Sequence, residues 1–480
     1  MTNELYGALD LGTTGCKFVI VSAEGEVVAS ASLEYYQTKY PKPGWAEQEP
    51  SDWIAAVKEC LRAVEKETLA KIAVLSVDAP AHTLVFLDEN DQPLRPSLIW
   101  EDQRASEAAK AIQAEDGDRI RLISYNQVKP IFGLPQLRWV MTNDNQTWKK
   151  TAKLTFIKDF VRGFLTGSVE YTDHADPIGT LFFDVNKGDW SDYLCDKYGI
   201  DKEKLPEIRQ ASTIGGEVSK KASNETNLRE GTPIKVGTID VSADHLASGA
   251  VEIGDMMIKV STVGVLSTIV DKPLQRTVNY TIPVKERWFS KTNTLFAGAS
   301  YKWSKRIFSE PSYESMDSLA AQSPEGSNGI LFHPYLGGEA SPYWLSQMRG
   351  AFHGILSTTS RSGVFRAVLE GVAFSLRDSL SEFSDVPISH GTIVGGGARS
   401  DLWCQIIADI LQVEVSRIRH TDAAYGSAMI AASDAESLGD TVKRWVRVEK
   451  SFSPNRKTIY VDRFEEYKRI ASFLATDVLR

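Results

Sequence analysis

The sequence predicts a mixed α/β protein of two domains, and three observations carry that prediction. The chain has 480 residues, 42% of them hydrophobic and 24% charged, which is long for a single core. Its first stretch reads as hairpins, then a helix, then a buried strand, the order of a layered α/β structure. A unit of strand, small-residue turn and strand occurs once in each half.

From Tyr6 to Tyr36, YGALDLG, KFVIVSA and VVASASLEYY read as three strands. The connections are short, one of them at Glu24-Gly25, so an antiparallel meander is expected. From Pro50 to Glu67 the apolar positions Trp53, Ile54, Val57, Cys60, Leu61 and Val64 fall on one helical face, and IAVLSVD follows as a buried strand. The region from about Pro93 to Glu230 is helix-rich with polar interruptions and contains LIWEDQR, FIKDFVRGFLTG and TDHADPIGTLFFDV. It reads as a substrate-side elaboration of the first domain. A second strand-rich region opens at PIKVGTID and continues through DMMIKVSTVGVLSTIVD, after which helices and the strand GTIVGGG alternate. The boundary is expected near Asp240, giving domains 1–240 and 241–480.

A formal net charge of −9 disfavours nonspecific attraction to nucleic acid or to an anionic membrane. The four cysteines, Cys16, Cys60, Cys195 and Cys404, are widely separated and form no CxxC pair, which suggests neither a disulfide framework nor a zinc site. The N-terminal MTNELYGALDLG runs directly into a strand pattern, and no stretch approaches membrane-spanning length. A cytoplasmic location is expected.

The twin units carry the chemistry. In the first, a strand ending at Leu9-Asp10 enters Gly12-Thr13-Thr14-Gly15 and leaves through Phe18 to Val21. In the second, Met257 to Val260 enters Ser261-Thr262-Val263-Gly264 and leaves through Val265-Leu266. Small residues let backbone approach a ligand closely, so both turns suit a phosphate chain. Asp10, Thr13, Thr14 and Lys17 together suit a hydrated Mg²⁺ and polyphosphate oxygens. The spacing GTTGCK is not that of a P-loop. A third element, Gly395-Gly396-Gly397-Ala398-Arg399-Ser400, lies between the strand TIV and an amphipathic run through Trp403, Ile406, Ile407 and Leu411. Strand, glycine turn and helix in that order offer bare backbone to a flat ligand or a phosphate.

In sum, these pieces resemble the FGGY family of carbohydrate kinases over essentially the whole length. DLGTT with Lys17 resembles the family's first phosphate element, GWAEQEPSDW its WxEQdPxxW stretch and IWEDQR its W-x-D-x-R stretch. TIDVSADHLASG resembles the segment with the catalytic aspartate, and STVG the second phosphate element. PYLGGEASPYW with RGAFHGI, RAVLEGVAFSLRD and GGGARSDLWCQIIADIL resemble the C-terminal signatures.

The resemblance implies two ribonuclease H-like domains of the actin-like ATPase architecture around a central cleft, ATP and Mg²⁺ as cofactors, and a small sugar as acceptor. A homodimer is the implied candidate assembly. It makes Asp240 the general base, with Asp244 the nearby rival, and Asp10 the metal-side carboxylate. The implied nucleotide set is Asp10, Thr13, Thr14, Lys17, Ser261, Thr262, Gly298, Gly396, Gly397, Ala398 and Ser400. His82 falls where pentulose kinases carry a sugar-touching histidine in a GQMH stretch, with Pro80 and Ala81 replacing the glutamine and methionine. Ala81, His82, Trp100, Glu101 and Asp102 are the expected substrate residues, and a ketopentose, D-xylulose or D-ribulose, the expected acceptor. Glycerol is disfavoured, because Ala81-His82 stand where glycerol kinases carry Arg-Glu. Ser261 and Val263 stand where the family's second phosphate element usually has Gly and Ser, and Ala340-Ser341 follow Glu339 where a basic residue and Thr are more usual.

Overall fold

In the computed structural model, which describes residues 4–275, 277–455 and 458–478, the chain divides into two compact units. The first comprises Met1–Val251, Asn279–Trp288 and Asp422–Val446, and the second Glu252–Val278, Phe289–Thr421 and Arg447–Arg480.

The first unit is built on one sheet. Strands β1 (Leu5–Leu11), β2 (Gly15–Ser22) and β3 (Val27–Glu34) form the antiparallel meander expected from the short turns. Strand β4 (Ile72–Ala79) lies parallel to β1 on its other side, and β5 (Ile214–Glu217), β6 (Pro233–Lys235) and β7 (Thr238–Ile239) complete the sheet. Both β6 and β7 run parallel to β4. The segment PIKVGTI, which the sequence shows as the start of a second strand-rich region, belongs to the first sheet, because β4 leaves an edge that its backbone pairs.

Helix α1 (Pro50–Arg62) begins with Pro at its first turn, where no amide donor is lost, and buries Trp53, Ala56, Val57, Cys60 and Leu61 at helical spacing. These side chains join a core with Leu9, Phe18, Leu75 and Val77 of the sheet. Helix α2 (Ile157–Thr166) packs on the same core, and helix α3 (Asp240–Ser248) follows β7 directly. The helix Ala423–Ala431 lies so close to α3 that a Cβ on Gly426 would stand 1.9 Å from the carbonyl oxygen of Ala243. Only glycine permits that backbone contact.

The second unit repeats the plan. Strands β8 (Asp255–Val260) and β9 (Gly264–Val270) form an antiparallel hairpin, and β11 (His390–Val394) runs parallel to β8 as β4 does to β1. The order is β10 (Trp288–Thr294), β9, β8, β11, β12 (Val415–Ile418) and β13 (Val448–Phe452). Helices α4 (Gly298–Ile307), α5 (Arg361–Ser379) and α6 (Asp401–Leu411) pack around it, with α5 buried almost throughout. Among the described residues no helix is long and apolar enough to cross a membrane.

Candidate active site

The sheet register of the first unit gathers carboxylates at one end. Asp10 of β1 pairs directly with Asp78 of β4, and Thr238 of β7 pairs with Asp78 from the other side. Asp240 follows β7 at the first turn of α3. Three neighbouring parallel strands therefore end in Asp10, Asp78 and Asp240, and the carboxyl ends of parallel strands are where such sheets bind ligands. Burial, then the Asp240 and Asp244 carboxylates, push Asp10 up to about 7. Burial raises Asp78 as well, reinforced by Asp10 and Asp240. Asp240 accepts the Val241 N–H at 2.7 Å, while Asp244 is buried one turn further along α3.

The first turn is braced from behind. Tyr36 Oη donates to the carbonyls of Gly12 and Gly15 at 2.6 and 2.7 Å, and Gln48 Nε2 to that of Thr13 at 2.7 Å. The Tyr35 amide donates to the Thr14 carbonyl. A Cβ on Gly15 would stand 2.0 Å from the Leu33 carbonyl oxygen, so only glycine fits the turn. Thr14 is exposed and Thr13 half-buried, while Lys17 pairs with Asp422 at 3.0 Å. Gln48 also accepts from Trp53 Nε1 at 2.9 Å, which explains the glutamine and tryptophan of GWAEQEPSDW.

His82 lies on the loop that follows β4. It is 7% exposed, with φ at 52°, in the left-handed region that costs a non-glycine residue energy unless its surroundings hold it. Its backbone N–H donates to Asp176 Oδ1 at 2.5 Å, and its Nδ1 lies 2.9 Å from Tyr280 Oη. The Phe132 ring packs on it with centroids 5.1 Å apart. Gly179 packs so closely on the Cβ and Nδ1 of His82 that a Cβ at position 179 would fall 2.5 Å from them.

Asp176 belongs to a buried ion cluster. Lys158 Nζ donates to Asp159 at 2.8 Å and to Thr172 Oγ1 at 3.0 Å, and lies 3.2 Å from Asp173 and 3.7 Å from Asp176. Arg162 pairs with Asp159 and donates to the Val236 carbonyl at 3.0 Å. Thr238 donates to Asp173 at 2.7 Å. The cluster thus grips both the strand leading to Asp240 and the His82 loop. Lys158, Asp159 and Arg162 are paired as sealed charges must be, while burial raises Asp176 well above its ordinary value.

Of the other expected acceptor residues, Trp100 is 47% exposed and Ala81 half-buried. Glu101 accepts from Tyr40 Oη at 2.9 Å. Asp102 is fully buried, accepts the Ala46 N–H at 2.6 Å and pairs with Arg104 at 2.8 Å. Arg104 also reaches Glu47 at 3.0 Å, so IWEDQR and GWAEQEPSDW clasp each other.

In the second unit, the β8–β9 turn is held by the loop before α4. The Gly298 N–H donates to the Ser261 carbonyl at 2.7 Å, and the amides of Ala297 and Ala299 to that of Thr262 at 3.1 Å. A Cβ on Gly298 would stand 2.4 Å from the Ser261 oxygen. Ser261 Oγ bonds its own turn, at the Val263 carbonyl, while Thr262 is exposed. Behind the loop, the buried Glu339 accepts from the Thr294 hydroxyl at 2.7 Å and the Leu295 amide at 3.1 Å. It also accepts from the Ala340 amide at 2.7 Å and the Ser375 hydroxyl at 3.2 Å. Burial outweighs these bonds and pushes Glu339 up to about 7.

A cavity of about 930 Å³ opens beside this turn. Ser261, Thr262, Gly298, Gly396, Gly397 and Ser400 line it, with Tyr301, Trp303 and Tyr313 supplying aromatic surface. Ser400 also caps α6 through the Trp403 amide, and Ala398 is buried with its carbonyl accepting from Arg417 at 2.9 Å. The lining combines hydroxyls and glycine backbone with aromatic rings, a chemistry that suits a nucleotide.

Sequence reading did not single out Asp78, Asp176 or Tyr280. Asp78 had a signal, since IAVLSVD ends in aspartate as YGALDLG does. Tyr280 had none, because its partner lies 198 residues away.

Residues 5–247 match the N-terminal domain of the FGGY family of carbohydrate kinases and residues 265–435 its C-terminal domain. The chain is 33% identical over 479 residues to a xylulose kinase of Lactococcus lactis, covering 96% of this chain and 94% of that protein. It is 28% identical over 439 residues to a gluconokinase of Bacillus subtilis, covering 86% and 84%. The crystal structure of a xylulose kinase from Rhodospirillum rubrum superposes with a TM-score of 0.91 at 25% identity, covering 99% of this chain and 100% of that one. With both family domains matched and two sheets of the same plan, the chain belongs to the FGGY family of carbohydrate kinases.

Proposed function

We propose that this carbohydrate kinase transfers the γ-phosphoryl group of ATP to a hydroxyl of a ketopentose, D-xylulose or D-ribulose ahead of other acceptors, with Asp240 as general base. The observation that carries the reading is the gathering of Asp10, Asp78 and Asp240 at the ends of neighbouring strands, with His82 on the loop after the middle one. The similarity to xylulose kinases and the pentulose-type position of His82 favour the ketopentose.

Phosphoryl transfer asks little covalent work of a protein. The acceptor hydroxyl gives its proton to an Asp240 oxygen as its own oxygen bonds to the γ-phosphorus. The bond from that phosphorus to the β,γ-bridging oxygen breaks, and ADP leaves with the electron pair. Thr14 and Thr262 supply hydroxyls toward phosphate oxygens, and Glu339 steadies the loop that holds the second turn.

The residues fit Mg²⁺. Like-charged carboxylates crowd Asp10, while among the described residues no group of three His, Cys, Asp or Glu side chains forms a ready-made metal cage. That combination suits a cation held by one or two carboxylates and completed by water and phosphate oxygens, with Asp10 the holding residue. Bound there, the ion would offset charge on the β- and γ-phosphates.

The test is a coupled ADP-release assay across ketopentoses, pentitols, glycerol and gluconate. A ketopentose should give the highest kcat/KM. Turnover confined to other acceptors would overturn the substrate assignment, and ADP release independent of any acceptor would overturn the role of Asp240.

A further inference from the structure

We propose that Tyr280 is a positioning residue for acceptor binding: its hydroxyl donates to Nδ1 of His82 and keeps the neutral imidazole with its proton on Nε2, as a donor toward an acceptor oxygen. The proposal rests on the reading of His82 as an acceptor-binding residue and deepens it by assigning the hydrogen-bond role that residue plays.

The geometry fixes the pair from several sides. Tyr280 is 2% exposed, and its ring lies within 6° of parallel to the imidazole. Both neighbours of Tyr280 are anchored. Asn279 exchanges hydrogen bonds with Asn126 at 3.0 Å, and the Thr281 carbonyl accepts from Ser242 Oγ of α3 at 2.7 Å. Ser242 stands two residues beyond Asp240, so one tether links the tyrosine to the helix bearing the base. His82 is pinned independently through its backbone by Asp176. Two separately anchored segments thus bring Oη and Nδ1 to 2.9 Å.

The direction of that bond follows from chemistry. Burial, then the Asp176 and Asp240 carboxylates, raise the Tyr280 phenol well above its ordinary value, so it keeps its proton. A buried O–H needs an acceptor, and Nδ1 is within reach. With Nδ1 accepting, the single proton of a neutral imidazole resides on Nε2. A ketone oxygen can only accept, so a donor at Nε2 is the form that recognises a ketose.

The test pairs spectroscopy with kinetics on the full-length protein. In ¹⁵N-histidine-labelled protein, with the His82 signals assigned by their loss in His82→Gln, long-range ¹H–¹⁵N correlations should show the Nε2–H tautomer. Tyr280→Phe, which keeps the ring packing, should shift that pattern and raise the D-xylulose KM roughly 2- to 13-fold, with kcat and the ATP KM near wild type. An Nδ1–H tautomer in the wild type overturns the proposal, even if the variant fails to fold. So does an unaltered D-xylulose KM in Tyr280→Phe, or a parallel rise in both KM values. If His82→Ala leaves the kinetics of every panel acceptor unaltered, the underlying reading of His82 fails. If His82→Ala raises the acceptor KM and Tyr280→Phe does not, the Tyr280 assignment alone falls.

Discussion

Asp10 and Asp78 are direct register partners across the parallel strands β1 and β4, so two carboxylates stand side by side at the end of one sheet. Burial pushes both groups up and a proton is shared between them, so a cation supplied there competes with that proton. Asp10→Asn should raise the Mg²⁺ concentration for half-maximal turnover by at least the roughly 10- to 100-fold seen when groups that merely support a metal's ligands are altered. A Mg²⁺ titration of ADP release checks this, and an unchanged midpoint would move the metal-side role away from Asp10.

Asp240→Asn keeps shape but accepts no proton. Turnover should fall by about 10²- to 10⁴-fold, with ATP and sugar still bound in equilibrium titrations. Near-normal turnover would assign the base elsewhere, and Asp244, one turn along α3, is the first variant to make next.

The two turns should respond separately from the acceptor site. Thr14→Val and Thr262→Val each remove an exposed hydroxyl while keeping a β-branched side chain. Each should raise the ATP KM by about 10- to 100-fold, the worth of one hydrogen bond to a charged group, with the sugar KM little changed. Unchanged ATP kinetics in both would sink the twin-turn account of phosphate binding.

Glu339 gives a pH prediction with a definite sign. Its folded value is raised from 4.5 to about 7, so between those values the folded protein holds a proton that the unfolded chain has lost. Its contribution to stability is full below about 4.5 and is lost as pH rises through about 7. Gln is nearly isosteric. Its amide nitrogen can donate to the Thr294 and Ser375 hydroxyls, while its oxygen accepts from the Leu295 and Ala340 amides. The melting temperature of Glu339→Gln relative to wild type should therefore rise between pH 5 and pH 8. A difference flat with pH, measured by thermal unfolding at several pH values, would show that Glu339 keeps an ordinary acidity.

What the sequence made legible was whatever advertises itself locally. The three meander strands, helix α1 and the glycine turn before α6 announce their periodicity, and Asp10 and Asp240 stand at strand ends beside recognisable motifs. What it concealed depends on distant pairing. Lys158, Asp159 and Arg162 look like the wet face of a helix, yet all three are fully buried because carboxylates and carbonyls from other segments meet them. PIKVGTI reads as a fresh start, but its partner is a strand about 160 residues earlier. Asp102 looks like a sugar ligand, and its oxygens are occupied by Ala46 and Arg104.

The bracing of the first turn has an electrical meaning. The carbonyls of Gly12, Thr13, Thr14 and Gly15 each accept a hydrogen bond, from Tyr36, Gln48, Tyr35 or Gly12. A loop whose lone pairs are already engaged has little negative potential of its own to show a visitor, and an approaching anion meets mainly positive dipole ends and hydroxyls. If the turn takes the phosphates as proposed, its preference for polyanions is achieved by subtraction: Tyr36 and Gln48, which need not touch the ligand, silence the oxygens that would otherwise repel it or capture stray cations.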